Sequence, residues 1–189
     1  MPEIIHYQDP QSRAMRTQRL LDAFDIPHTS VLVELRKGDN KNPDYAAIHP
    51  YQRVPALKYG DVTIVESGAI QLFLADVFAE KMNTPKLCTP ERARLYEWLF
   101  FLQTTLEPLA VQAYDPAKKD ASKVQIRDLL HRMAVKFVGP FVLGEQFSVA
   151  DVIVHSDLSW YQIMDLYPHE LEPYDGFMKR MAERAQAQA

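Results

Sequence analysis

Two dipeptides flanking a short hairpin carry most of the chemistry legible in this chain: Val54-Pro55 and Glu66-Ser67. Between them the sequence reads as an apolar strand from Ala56 to Tyr59, a turn at Gly60-Asp61, and a second strand from Val62 to Val65. A proline at a strand entry, especially in cis, leaves the preceding residue's N–H and C=O free to pair with an extended ligand. A serine where a helical pattern begins offers a hydroxyl and unpaired backbone N–H groups, which suit a carboxylate. A glutamate beside it suits an ammonium group. Together these groups match a ligand with an α-amino acid head and a peptide tail, and glutathione has those parts in that order. The plain alternatives are a helix N-cap for Ser67 and a first-turn acid complementing the helix dipole for Glu66.

The segment resembles the glutathione-binding half of the cytosolic glutathione S-transferases. Members carry Asn-Pro-x-x-x-Val-Pro, a hairpin, and Glu-Ser-x-Ala-Ile. Here the two motifs read His49-Pro50-Tyr51-Gln52-Arg53-Val54-Pro55 and Glu66-Ser67-Gly68-Ala69-Ile70, with His in place of Asn. A second stretch, 141–154, resembles the family's Leu-x-Gly-x-x-Phe-Ser-x-Ala-Asp capping region, whose role is structural. The resemblance spans about residues 3 to 185. It implies an α/β thioredoxin-like N-terminal domain over 1–80, a linker over 81–90, and an all-α domain over 91–189 that forms a pocket for an electrophile.

What the resemblance implies for chemistry is activation of the ligand's own thiol. Only the thiolate attacks well, and a free thiol near pKa 8.5 is only a few per cent ionised at neutral pH. A hydroxyl donor where the first strand passes into the first helix favours the thiolate. Two residues qualify. Tyr7 falls on the catalytic position of the tyrosine-type members, and Ser12, in Pro10-Gln11-Ser12 with Arg16 four residues on, matches the serine-type members. The sequence leaves both open. Carried over by position, Glu66 and Ser67 hold the γ-glutamyl amine and carboxylate, and Val54 pairs its backbone with the cysteinyl residue. Pro55 is cis, and Arg53 and Lys41 reach the glycyl carboxylate. The histidine slot of the family's loop before Pro43 is Asn40 here.

The resulting expectation is a glutathione S-transferase, with glutathione as co-substrate and a small hydrophobic electrophile as its other partner. It includes a detoxification role, a homodimer and a cytoplasmic location. The alternatives are a binding or regulatory protein on the same fold without transferase activity, and a glutathione-dependent peroxidase or isomerase. Residues 7 to 16 hold no Cys, which disfavours disulfide exchange, and Cys88 reads as an incidental thiol.

Composition narrows the classes further. The chain has 189 residues, 47 % of them hydrophobic, and a net charge of −4, so no basic excess is present to neutralise nucleic acid phosphates. The first ten residues lack a secretory h-region, and no apolar run is long enough to span a bilayer. A single Cys excludes an intrachain disulfide, and the six His are scattered without metal spacing, so no metal is expected.

The elements that must position these residues follow the order β-α-β-α-β-β-α. Ile4 to Tyr7 reads as the first strand. Ser12 to Phe24 reads as a helix, with Arg13, Arg16 and Arg19 on its wet face. Thr29 to Leu35 reads as a strand, Asp44 to Ile48 as a short helix, and Ser67 to Phe78 as a longer one. Beyond the linker the pattern gives a helix from Arg92 to Tyr114, bent at Pro108, and another from Ala121 to Val138 with Val124, Leu129, Leu130, Met133 and Phe137 on one side. A Ser148/Asp151 capping box opens a helix running to Met164, and a last helix covers Leu171 to Ala185 before a frayed AQAQA end. Tyr96, Phe100, Phe101, Tyr114, Trp160 and Tyr161 are unsorted candidates for the electrophile pocket.

Overall fold

A computed structural model describes residues 1–187. The chain divides into two compact units, Met1–Met82 and Asn83–Ala189.

The first unit is built on a four-stranded sheet. Strands β1 (Ile4–Gln8), β2 (Thr29–Leu32), β3 (Ala56–Tyr59) and β4 (Val62–Val65) lie in the order β2-β1-β3-β4. β1 and β2 are parallel, and the β1/β3 and β3/β4 pairs are antiparallel. Helix α1 (Ala14–Ala23) makes the crossover between the parallel strands, α2 (Pro43–Ile48) precedes the hairpin, and α3 (Ser67–Val77) follows it. This is the thioredoxin-like order read from the sequence. Neighbouring residues of a strand face opposite sides of the sheet. His6 accordingly meets Gln18 of α1, while Tyr7 packs against Tyr45 of α2. Leu20, Leu21, Leu57, Ile70 and Leu74 form the fully buried centre.

Two local expectations are corrected. Arg16 is buried, not on the wet face of α1. It stands one helical turn before the buried Leu20, and its long aliphatic stem suits that stripe. β2 ends at Leu32, because two carboxylates draw the chain into a turn. Asp9 accepts the Leu35 N–H at 3.0 Å, and Asp39 accepts the Glu34 N–H at 3.0 Å.

A polar network lies under β1. The His6 ring nitrogen Nδ1 is 3.1 Å from Gln18 Oε1, which also accepts the Ser30 hydroxyl at 3.1 Å. The Gln18 amide donates to Asp22 at 2.8 Å and approaches His28 Nε2 at 3.1 Å. His6 Nε2 is buried with no partner among the described residues. Burial lowers the His6 pKa to about 4, with the nearby His28 charge acting the same way and the Gln18 bond opposing.

In the second unit, α4 (Pro90–Phe100) runs into a π-helical stretch, Phe101–Leu106, and then α5 (Glu107–Gln112). The expected bend at Pro108 takes this form. Pro108 has no N–H for the Thr104 carbonyl, so the wider turn is placed just before it, and the Glu107 N–H bonds back to the Leu102 carbonyl. Helix α6 (Pro116–Met133) starts earlier than its apolar pattern suggests, because Asp115 caps the Ala117 N–H at 3.0 Å. Its buried stripe is Ser122, Ile126 and Leu130, and Val124 is 69 % exposed, so the apolar side read from the sequence is corrected. Trp98, Phe137, Tyr174 and Phe177 pack edge to face, and the Tyr174 hydroxyl donates to the Leu130 carbonyl at 2.7 Å.

Helix α7 (Val149–Ile163) opens with the capping box, and α8 (Tyr174–Ala187) runs into the AQAQA end, whose last two residues lie outside those described. Asp151 is fully buried and its carboxylate accepts the Val142 N–H at 2.8 Å, the Ser148 N–H at 2.7 Å and the Ser148 hydroxyl at 3.0 Å.

Two outcomes follow from these buried groups. Asp151→Ala leaves two buried N–H groups without acceptors, at about 1–3 kcal/mol each, so the variant should lose about 3 kcal/mol in urea unfolding. A loss below about 1 kcal/mol would show that water replaces the carboxylate. His6 binds its proton more readily when unfolded, so its stabilising effect is complete above pH 6.5 and is lost as pH falls toward about 4. The whole span is worth about 3 kcal/mol. His6→Phe should flatten the thermal midpoint against pH in that window, and an unchanged slope would assign the acid sensitivity elsewhere.

Candidate functional site

The strand register gathers the candidate residues at one end of the sheet. Tyr7 pairs with Ala56, and Ala56 pairs with Val65. The end of β1, the start of β3 and the end of β4 therefore share one row, with strands roughly 4.8 Å apart. Val54 and Pro55 immediately precede that row on β3, and Glu66 and Ser67 immediately follow it on β4. The Val54–Pro55 peptide bond is cis, as the resemblance implied. Val54 lies outside the strand ladder, although its side chain is in the core.

At the end of β4 the backbone is unusual. Glu66 is exposed and has φ +71°, in the region that favours glycine. Such a conformation costs on the order of 1–3 kcal/mol and is kept only where the surroundings impose it. It turns the chain sharply into α3, whose first residue, Ser67, is 7 % exposed. Among the described residues the N-cap, Glu66, makes no side-chain cap bond, so the first-turn N–H groups suit a ligand's carboxylate.

The two hydroxyl candidates differ in their commitments. Ser12 donates to the Asp9 carbonyl at 2.7 Å and accepts the Ala14 N–H at 3.1 Å. Its single proton is thus spent on the turn that leads into α1. Tyr7 is half-buried against the cluster of Ala14, Val33, Tyr45 and Val54, with its ring 5.9 Å from that of Tyr45. Among the described residues no hydrogen bond engages its hydroxyl.

The turn preceding Val54 is held from several sides. The Tyr45 hydroxyl donates to the Arg53 carbonyl at 2.6 Å, and burial raises its pKa to about 12, with Tyr7 adding to the effect. Asn40 donates to the Gln52 carbonyl at 2.7 Å, which brings the loop bearing Lys41 alongside the turn bearing Arg53. Lys41 and Arg53 are both exposed. His49 is 3 % exposed, with its ring between those of Tyr45 and Tyr51 at 6.3 and 5.8 Å. Burial lowers the His49 pKa below its ordinary value, the Glu66 carboxylate opposes this, and the Arg53 guanidinium reinforces it. Both charges therefore lie within electrostatic reach of this imidazole.

Sequence reasoning missed Tyr45 and the tying role of Asn40. Tyr45 offers only an aromatic in a short helix, and nothing in its neighbours announces a carbonyl eight residues away. The pocket candidates of the second unit now sort by burial. Tyr161 is in the core, Phe101 packs on Trp98 at 6.0 Å, and the Tyr96 hydroxyl accepts the Arg92 Nε–H at 2.9 Å. Trp160 is half-buried beside Tyr161, and Phe100 and Tyr114 are 54 and 68 % exposed. A cavity of about 520 Å³ in this unit is lined instead by Asn83, Lys86, Glu91, Glu145 and neighbours, and by none of these aromatics. Cys88 is exposed. Among the described residues no cluster of His, Cys, Asp and Glu is suited to a metal ion, and no helix is long and apolar enough to cross a membrane.

Comparison with known proteins gives this geometry a setting. Residues 3–76 match the family model for the glutathione S-transferase N-terminal domain. The glutathione S-transferase GstA of Escherichia coli O157:H7 is 30 % identical over 168 residues, covering 85 % of this chain and 83 % of GstA. Human glutathione S-transferase theta-1 is 30 % identical over 154 residues, covering 71 % of this chain and 62 % of that protein. In fold, a glutathione transferase from Methylococcus capsulatus superposes with a TM-score of 0.83 at 24 % identity, over 98 % of this chain and 95 % of the other. With its N-terminal unit matched to the family model and its length shared with GstA, the chain belongs to the glutathione S-transferase family.

Proposed function

We propose that this protein binds glutathione at the sheet end described above and transfers it to small electrophiles, with Tyr7 as the thiolate-stabilising hydroxyl. The observation that carries the reading is the register row Tyr7–Ala56–Val65, which sets the Tyr7 position beside the peptide-pairing and head-group positions. The γ-glutamyl carboxylate takes the uncapped start of α3 and the Ser67 hydroxyl, and its ammonium takes Glu66. The cysteinyl residue pairs with the Val54 backbone, and Arg53 and Lys41 face the glycyl carboxylate. This places the ligand's thiol at the end of β1.

There the Tyr7 hydroxyl donates a hydrogen bond to sulfur. A bond made to the thiolate favours ionisation, and each pKa unit of lowering gives about tenfold more nucleophile, worth about 1.4 kcal/mol. The thiol proton passes to solvent. The sulfur lone pair then forms the S–C bond, and the electrophile either loses its leaving group with the bonding pair or, for an activated alkene, takes up a proton. Support for Tyr7 over Ser12 comes from the Ser12 proton being held by the Asp9 carbonyl. A homodimer in a cytoplasmic setting is part of this proposal and rests on the family resemblance.

Calorimetric titration with glutathione at several pH values tests the binding half. Glu66→Ala with Ser67→Ala removes hydrogen bonds to charged groups worth together about 3 kcal/mol, so affinity should fall about a hundredfold. Unchanged affinity in the folded double variant would remove the site from this end of the sheet. For the thiol, Tyr7→Phe should raise the pKa of bound glutathione by about one unit and lower conjugation about tenfold, with binding nearly intact. The opposite pattern, with Ser12→Ala impaired and Tyr7→Phe normal, would transfer the role to Ser12. Glutathione binding with no turnover of any electrophile would favour a binding or regulatory protein.

A further inference from the structure

The turn 49–53 presents Val54 and Arg53, and His49 holds it by two bonds. The Gln52 N–H donates to the His49 carbonyl at 2.8 Å, and the Tyr51 N–H donates to His49 Nδ1 at 3.3 Å. The second bond, from a side chain to the N–H two residues on, has the form of an Asx turn, which Asn makes through its amide oxygen. Gln52, between these bonds and Val54, has φ +53°, a left-handed conformation that the turn must impose. Imidazole Nδ1 can fill the place of an Asn oxygen with one difference. An amide oxygen accepts at every pH, whereas a protonated imidazole has a donor on both nitrogens and accepts on neither.

We infer that His49 is a positioning residue for the glutathione site and that its protonation releases the Tyr51 N–H, loosens the turn and weakens glutathione binding in mildly acidic solution. This inference rests on the site proposed above. The groups facing the imidazole are the Tyr45 ring from α2, Tyr51 and Arg53 from the turn itself, and Glu66 from the start of α3. Burial, the largest effect, and Arg53 disfavour the imidazolium, while Glu66 and a hydrogen bond to the backbone of His49 itself favour it, so the transition falls below pH 6.5. A ligand ammonium drawn to Glu66 would weaken the attraction of that carboxylate for the imidazolium. Occupancy of the site and protonation of His49 therefore oppose each other, as linkage requires of two competing ligands.

The test uses S-methylglutathione, which has no titrating thiol, in calorimetric titrations of the whole protein and of His49→Asn. Between about pH 7 and about pH 5 wild-type affinity should fall about threefold through loss of the competent form. His49→Asn should keep its affinity flat over the same range. A variant as pH-dependent as the wild type, or a flat wild-type profile, overturns the inference while leaving the site in place. No binding of S-methylglutathione or glutathione to the wild type at any pH overturns the site and this inference with it. A second readout needs neither ligand nor variant: the Tyr51 amide resonance should titrate with the same midpoint as the His49 ring. A Tyr51 amide that ignores the His49 titration overturns the inference even if the Asn variant fails to fold.

Discussion

The candidate site depends on one constraint, the antiparallel register that sets Tyr7 opposite Ala56 and Ala56 opposite Val65. Three separate stretches of chain reach the same end of the sheet because those ladders are in phase. A slip of one residue on β3 would turn Leu57 out of the core and move Val54 away from the row. The buried Leu57, and the His6 network beneath β1, therefore specify the site as much as the residues that would touch a ligand.

Around that row the loops are fixed by hydrogen bonds from side chains rather than by further strands. Asp9 joins the end of β1 to the Leu35 N–H, Asn40 reaches the Gln52 carbonyl, and Tyr45 reaches the Arg53 carbonyl. Each bond links segments distant in sequence, and each satisfies a backbone group that a loop would otherwise leave to water. The exposed charges Lys41 and Arg53 are thereby mounted on anchored backbone, which reduces the ordering cost of meeting a carboxylate.

The sequence displayed this unevenly. The hairpin, the Glu66-Ser67 entry to α3 and the Ser148/Asp151 box were legible because each is a local pattern with a local cause. The burial of Arg16 was not, since its charge argues for solvent and only the stripe through Leu20 places it inside. β2 was overextended because its apolar residues continue past Leu32, and the carboxylates that end it come from Asp9 and Asp39. Tyr45 and Asn40 were invisible as turn anchors for the same reason: their partners are fixed by tertiary placement. Val124 misled in the helical unit because β-branched apolar residues also occupy exposed helix positions, and the buried stripe there includes a serine.

The backbone at Glu66 sets stability and recognition against each other at a single position. Its φ of +71° is one that glycine adopts freely, so the chain would be relieved of strain by the residue that offers a ligand nothing. Selection for heat resistance alone would drift toward glycine there and erase the carboxylate. If Glu66 meets a ligand's ammonium as proposed, the version of this protein that endures best and the version that recognises its ligand best are different sequences.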